Sequence, residues 1–265
     1  MRSLLGLAAS LTALAIVVGD AAGISAQRAS TRPATSLREA IVPFKVGETL
    51  TYDVSWSSIL VAGTAVVSVK EKTPSANSTA YSIVAEGQPV PLVARLYSLH
   101  YRMDTLLDTY TLLPHRSSLY AQEGSDRRTA TTKFDRPTRR VFFEEQSGTT
   151  TKLDYPVPNE AQDGLSTLYA IRSKSFKAGD RLTLPVADSG TLYNIEVVVG
   201  APESIKVPFG AASAWVLKGT IKDLTGEPVW NNVGVWISND ARRLPMKLQG
   251  DLPIGNVVLA LHDAR

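Results

Sequence analysis

The sequence predicts a mainly β protein: a large curved antiparallel sheet, open or an incomplete barrel, packed on one amphipathic helix. Three observations predict it. Short alternating segments recur along the chain with turn signals between them. One stretch alone, Asn159 to Phe176, reads at helical spacing. Helices do not alternate with strands, which argues against a parallel α/β sheet, and short connections make successive strands antiparallel neighbours.

The elements follow in order. Leu50-Tyr52-Val54-Trp56 alternates with Thr51, Asp53 and Ser55, giving one apolar and one polar face. Ile59 to Val69 is its partner across a turn at Ser57-Ser58, and Ala80 to Ala85 is a third strand. Between Leu96 and Leu107 the alternation is clearest: Tyr97, Leu99, Tyr101 and Met103 face one way, and Ser98, His100, Arg102 and Asp104 the other. Leu113 to Gln122, Arg128 to Phe134 and Arg140 to Glu145 continue as a meander. After the helix come Arg181 to Val186, Leu192 to Val199, Ala214 to Lys222, Val229 to Ser238, Leu244 to Gln249 and Asn256 to His262.

The helix rests on a stripe of Ala161, Leu165, Leu168, Tyr169, Arg172 and Phe176. Asn159 is one N-cap, with Gln162 completing a capping box; Asp163 is the alternative, which moves Gly164 out of the helix interior. Gly179 is the stop. A long antiparallel sheet curls, its inner face needs a cover, and the Leu165/Leu168/Tyr169 stripe supplies one.

The amino terminus reads as a signal peptide over residues 1–26: Arg2, an apolar run from Leu4 to Val18, and small residues up to Ala26. That run of about fifteen residues is shorter than the roughly 20 of a membrane span. Residues 27–42 read as a flexible linker and 43–265 as one β-rich domain. The expected location is periplasmic or extracellular, with no transmembrane span after signal cleavage. With no cysteine in the sequence, disulfides, thiolate metal sites and a cysteine nucleophile are excluded. A net charge of +3 with both signs intermixed gives little support to an anionic partner, and the exported location argues against nucleic-acid binding.

Motifs that carry chemistry are scarce. His100, His115 and His262 lack metal-site spacing, and neither a metal nor a cofactor is expected. Ser166, in Asp163-Gly164-Leu165-Ser166-Thr167, is not a nucleophile elbow and reads as a helical polar residue. A Ser-His-Asp triad assembled in space stays open, because its members need not be neighbours in sequence. Glu144 and Glu145 diverge on a strand, as do the doublets Arg127-Arg128, Arg139-Arg140 and Arg242-Arg243. Arg172 lies inside the apolar stripe, so it either snorkels to solvent or meets a carboxylate, with Asp53 and Asp104 as the expected partners.

Several stretches resemble one exported bacterial family. They are Pro43-Phe44-Lys45-Val46-Gly47-Glu48-Thr49-Leu50-Thr51-Tyr52-Asp53-Val54-Ser55-Trp56, Ala62-Gly63-Thr64-Ala65, Gln162 through Arg172, and Trp236 through Asp240 to Lys247. The family is domain of unknown function 3108. The resemblance spans nearly all of the mature chain, implies export and a mainly β fold, and brings no catalytic residues with it. The segment Val235 to Leu248 is also similar to a hairpin of periplasmic lipoprotein-carrier-like half-barrels, whose concave face holds acyl chains. That second likeness is one of architecture.

The leading expectation is a non-enzymatic envelope protein that binds a lipid or other apolar ligand in the concave face of its sheet. Tyr97, Tyr101, Leu165, Leu168, Tyr169 and Arg172 are the cavity candidates. The alternative is an envelope scaffold or assembly factor with a closed core and an envelope protein partner. A hydrolase is the minor alternative.

Overall fold

The computed structural model describes residues 38–56, 60–95, 98–252 and 255–265. The expected signal peptide and residues 27–37 of the expected linker lie outside them, as does the turn at Ser57-Ser58. The strands are β1 (Thr49–Trp56), β2 (Leu60–Ser75), β3 (Ser78–Pro89), β4 (Leu99–Asp108), β5 (Pro114–Glu123), β6 (Asp126–Asp135), β7 (Arg140–Ser147) and β8 (Thr149–Pro156). They continue as β9 (Arg181–Asp188), β10 (Thr191–Val199), β11 (Glu203–Val207), β12 (Gly210–Lys222), β13 (Pro228–Ser238), β14 (Pro245–Leu252) and β15 (Gly255–Ala264). Among the described residues two helices interrupt them, α1 (Pro91–Ala94) and α2 (Gly164–Arg172).

All fifteen strands join one sheet in the order β8-β7-β6-β5-β4-β3-β2-β1-β15-β14-β13-β12-β10-β9, with β11 paired to β12. Every ladder is antiparallel. The expected mainly β fold with one cover helix is therefore the observed one. The path ends at β8 and β9, and side chains rather than a ladder meet across that seam. Phe134, Val141 and Val157 cluster with Ala161, Ala187 and Leu192. The contact needs a glycine at the β9–β10 turn. A Cβ on Gly190 would lie 2.9 Å from Leu153 and 3.0 Å from Phe143, and its φ is +76°.

Strand alternation sorts the side chains into an inner and an outer face. Leu50, Tyr52, Val67, Val69, Ile83, Leu107 and Leu261 share one cluster with Leu165 and Tyr169 of α2, so this face is the inner one. Ile171 carries the opposite flank of α2 into a second cluster with Val197, Val199, Leu217 and Ile237. The antiparallel pattern also sorts the connections between two rims. The near rim carries the approach to β1, the turns after β2, β4, β6 and β13, and both ends of the β8–α2–β9 segment. The far rim carries the connections after β1, β3, β5, β7, β9, β12 and β14.

Three expectations are corrected in detail. The helix is nine residues long, not Asn159 to Phe176. Asp163, the alternative cap, accepts from the Ser166 amide while the Ser166 hydroxyl accepts from the Asp163 amide, so the first turn starts there. Residues before it run extended beside β9, where the Gln162 amide donates to Pro185 and the Ala187 amide donates to Gln162. Contacts also begin ahead of Phe44: the Ala40 amide donates to Thr109 at 2.8 Å, Glu39 pairs with Lys72, and Val42 packs on the core. Finally, β8 and β11 were not anticipated.

Candidate functional site

The concave face is the site the sequence points to, and its two halves differ. Toward the near rim it is sealed. Leu50, Leu107 and Leu261 are fully buried, and Tyr52 and Tyr169 nearly or wholly so. The Phe44 ring packs edge-on against Tyr169 at 4.8 Å and Tyr81 at 5.2 Å, so the segment before β1 plugs this end. Burial pushes the hydroxyls of Tyr52 and Tyr169 far up from the ordinary phenol range.

Arg172 closes the seal. It is fully buried, and its guanidinium grips both oxygens of Glu48 at 2.7 and 2.9 Å. Its remaining donors reach the carbonyls of Arg243 at 3.0 Å and Arg242 at 3.3 Å. Burial works against the cation, and the Glu48 carboxylate more than offsets that, so the guanidinium titrates above its ordinary range. The expected partners are corrected here. Asp53 pairs with His262 and Asp104 with Arg102, both on the outer face, because each lies one residue out of phase with the inward rows.

At the other end of α2, Asp163 is buried and accepts from Thr105 as well as Ser166. Burial raises its carboxyl from the ordinary 3.8 to about 6, against the pull of those two donors. Beside it, between Met103, Thr132, Phe143 and Leu165, lies a void of about 20 Å³. That is room for one water and no ligand.

Toward the far rim the same inner rows change character. Val54, Met103, Leu248 and Leu259 continue buried rows by alternation, and Leu119 of β5 stands opposite Met103, yet each is only half-buried. Leu184, Ile195 and Val235, across the other flank, are half-buried too, and so is Leu168 of α2. The physical reason is length. A nine-residue helix spans about 13 Å, whereas a ten-residue strand such as β4 spans about 33 Å. The helix is too short to run the length of the strands it packs against.

The cavity candidates therefore divide. Leu165, Tyr169 and Arg172 belong to the sealed half, and Leu168 sits where the seal ends. Tyr101 lies near the far rim, exposed, with its hydroxyl donating to Glu123. Tyr97 lies outside the described residues. Val54, Met103, Leu119, Leu248 and Leu259 were not named as cavity candidates, although the inward phase of Val54 and Met103 was readable.

The remaining chemical candidates are scattered. His100 is exposed on the outer face, edge-on to Tyr120 at 5.6 Å, and His262 is exposed beside Asp53. Ser166 is buried in the capping box. One cluster at the near rim was not anticipated. There His115 Nδ1 lies 3.0 Å from Ser75 Oγ and its Nε2 lies 3.1 Å from Asp108, which also accepts from Ser78 and Thr111. It joins the β2–β3 and β4–β5 turns, and Asp108 spends its oxygens on fixing them. A wider groove of about 940 Å³ crosses the outer face of β9–β14, but its Trp236 indole is already tied to Glu203 and covered by Lys247. Among the described residues, no three His, Asp or Glu side chains form a metal-binding group. No helix among them is long and apolar enough to cross a membrane.

A sheet wound around one helix, sealed at one rim, is a β-barrel-like architecture. The chain belongs to the family described as Protein of unknown function (DUF3108), which matches residues 51–262. The fold is similar to the crystal structure of a β-barrel-like protein of domain of unknown function DUF1849 from Brucella abortus. The two share 12% identity at a TM-score of 0.53, over 83% of this chain and 97% of that one. A candidate exported protein with a YmcC-like fold from Bacteroides fragilis aligns over 86% of this chain and 100% of its own, with 10% identity and a TM-score of 0.39. A candidate lipoprotein from Parabacteroides distasonis covers the same shares at 9% identity and a TM-score of 0.34. The sequence matches no curated protein.

Proposed function

We propose that this is an exported, non-enzymatic protein of the cell envelope that binds a lipid or another apolar chain in the far half of its concave face. One observation carries the reading. Inner-face apolar side chains, Val54, Met103, Leu119, Leu248 and Leu259, are only half-buried where their neighbours nearer the other rim are dry. Leaving such surface wet forgoes roughly 25 cal/mol for every Å², and an apolar ligand recovers it. The sealed half fixes the depth of the site, so the ligand enters from the far rim and stops at Leu168.

Native mass spectrometry after gentle purification tests it. The expected result is a co-purified lipid mass that is lost in Leu119→Arg and Leu248→Arg, with the fold retained by circular dichroism. A clean apo mass, together with no displacement of a fluorescent fatty acid by added lipid, would overturn the reading in favour of a scaffold.

A further inference from the structure

We propose that the free edge of β8 is a dimerisation surface, on which β8 of a second copy of this chain adds antiparallel about a twofold axis at Leu153. Strand β8 ends the sheet path, so one row of its backbone donors and acceptors has no ladder. The β9–β10 turn does not cover that row. It lies across the inner face of β8, with Gly190 against the side chains of Leu153 and Phe143. Residues 149–154 are all exposed. The devices that blunt an edge are few here. The strand is eight residues long, and its ladder with β7 runs from Ser147↔Thr149 to Arg140↔Pro156 without a bulge. Only Lys152 and the terminal Pro156 work against another strand. At the other end of the path β9 is screened, because Gln162 pairs beside Pro185 and Ala187.

Charge selects both the occupant and the register. A twofold axis normal to the sheet pairs each residue with one equally far beyond the axis, and keeps outer side chains opposite outer ones. An axis at Lys152 would set Lys152 against itself, and an axis at Asp154 would set Asp154 against itself. An axis at Thr151 leaves the two charges opposite Thr150 and Gly148. An axis at Leu153 sets Lys152 of each copy opposite Asp154 of the other, twice over. Those pairs extend bridges that each copy already holds, Lys152–Glu144 at 3.2 Å and Asp154–Arg140 at 2.6 Å, so the signs alternate across the joined sheets. The same register brings the two Leu153 side chains together at the axis, each residue being 43% exposed in the single chain. An edge complementary to itself points to a second copy rather than to an unrelated strand, and it turns Lys152 from an obstacle into a contact.

The absence of cysteine makes the test direct. Leu153→Cys is expected to form a disulfide-linked dimer under mild oxidation, because directly opposed residues of an antiparallel pair stand about 4.5–5.5 Å apart at Cα. Thr151→Cys is expected to stay free, since its mate in the other copy is displaced by roughly 13 Å along the strand. In analytical ultracentrifugation the wild type is expected to dimerise as concentration rises. Lys152→Asp and Asp154→Lys are each expected to weaken that association about tenfold, with the fold of each checked by circular dichroism. Mixing these two variants is expected to restore it as a heterodimer, in which every Asp again faces a Lys. A wild type that stays monomeric at every concentration, equal cross-linking at 151 and 153, or a mixture no tighter than its components would overturn the proposal.

Discussion

The two halves of the concave face are built from the same strands and the same kinds of residue, yet one is dry and the other half-wet. Tyr52 and Leu107 are closed over by Phe44 and Tyr169, while Val54 and Met103, two and four positions along the same strands, are not. The difference is one of coverage, not of hydrophobicity. A protein that needed only stability would gain from a longer helix, and the sequence instead ends α2 at Ser173 after nine residues. A sealed half that holds the barrel and an open half that holds a ligand is a division of labour, and substitutions can separate the two.

The largest effect is expected at Arg172. Arg172→Ala leaves the Glu48 carboxylate buried without its cation and is expected to cost about 3–5 kcal/mol, read as a lowered midpoint in urea. The double variant Arg172→Met/Glu48→Leu, which removes both charges, is expected to recover most of that loss. A single-variant loss below about 1 kcal/mol would mean that the near half is not sealed.

Next come matched truncations in the two halves. Leu107→Ala opens a cavity in the dry half and is expected to cost about 2–5 kcal/mol. Leu119→Ala, half-buried to begin with, is expected to cost less than half as much and to weaken lipid retention instead. Equal losses would erase the distinction between the halves.

The pairing of Arg172 shows where the sequence was legible and where it was not. Alternation along Leu50, Tyr52 and Val54 marked the inner face of β1, and extending it two residues back places Glu48 in the same phase. The partner was thus readable in principle, while Asp53 and Asp104 were out of phase from the start. What no local pattern could supply is the separation of 124 residues between the two. Strand β8 was missed for another reason. Its residues, Thr-Thr-Thr-Lys-Leu-Asp-Tyr-Pro, are almost all exposed at the edge of the sheet, so burial imposes no alternation on them. The five-residue β11 is too short to show a period. The open half of the hollow was hidden because alternation tells which face a residue joins, not whether anything covers that face.

A smaller effect, and one that depends on pH, is expected at the junction of the halves. Asp163 caps α2 from a buried position, and burial raises its carboxyl to about 6, with the Asp188 carboxylate adding to the rise and the Ser166 amide and Thr105 hydroxyl opposing it. The folded value lies above the unfolded one, so the fold favours the neutral acid. Its contribution is complete below the ordinary 3.8 and is lost as pH rises through about 6. Asp163→Asn keeps a capping side chain without a charge to bury. It is expected to match or exceed wild-type stability at pH 7 and to lose that advantage near pH 4, as measured by urea denaturation at both. A pH-independent difference would place the Asp163 carboxyl in contact with water and would open the sealed half at its inner end.

The smallest effect is expected at Arg102, which makes the same kind of pair as Arg172 on the other side of the sheet. Its guanidinium reaches Asp104 at 2.7 and 3.0 Å and also Glu86, yet its side chain is 42% exposed. Water already solvates all three charges, so removing one leaves nothing stranded. Arg102→Ala is expected to change stability by no more than about 1 kcal/mol, and by less at high salt. Urea titrations at low and high ionic strength check both statements. A loss comparable to that of Arg172→Ala would mean that the outer face is covered in solution by something that dries it, and the contrast between sealed and open surfaces would then have to be redrawn around that cover.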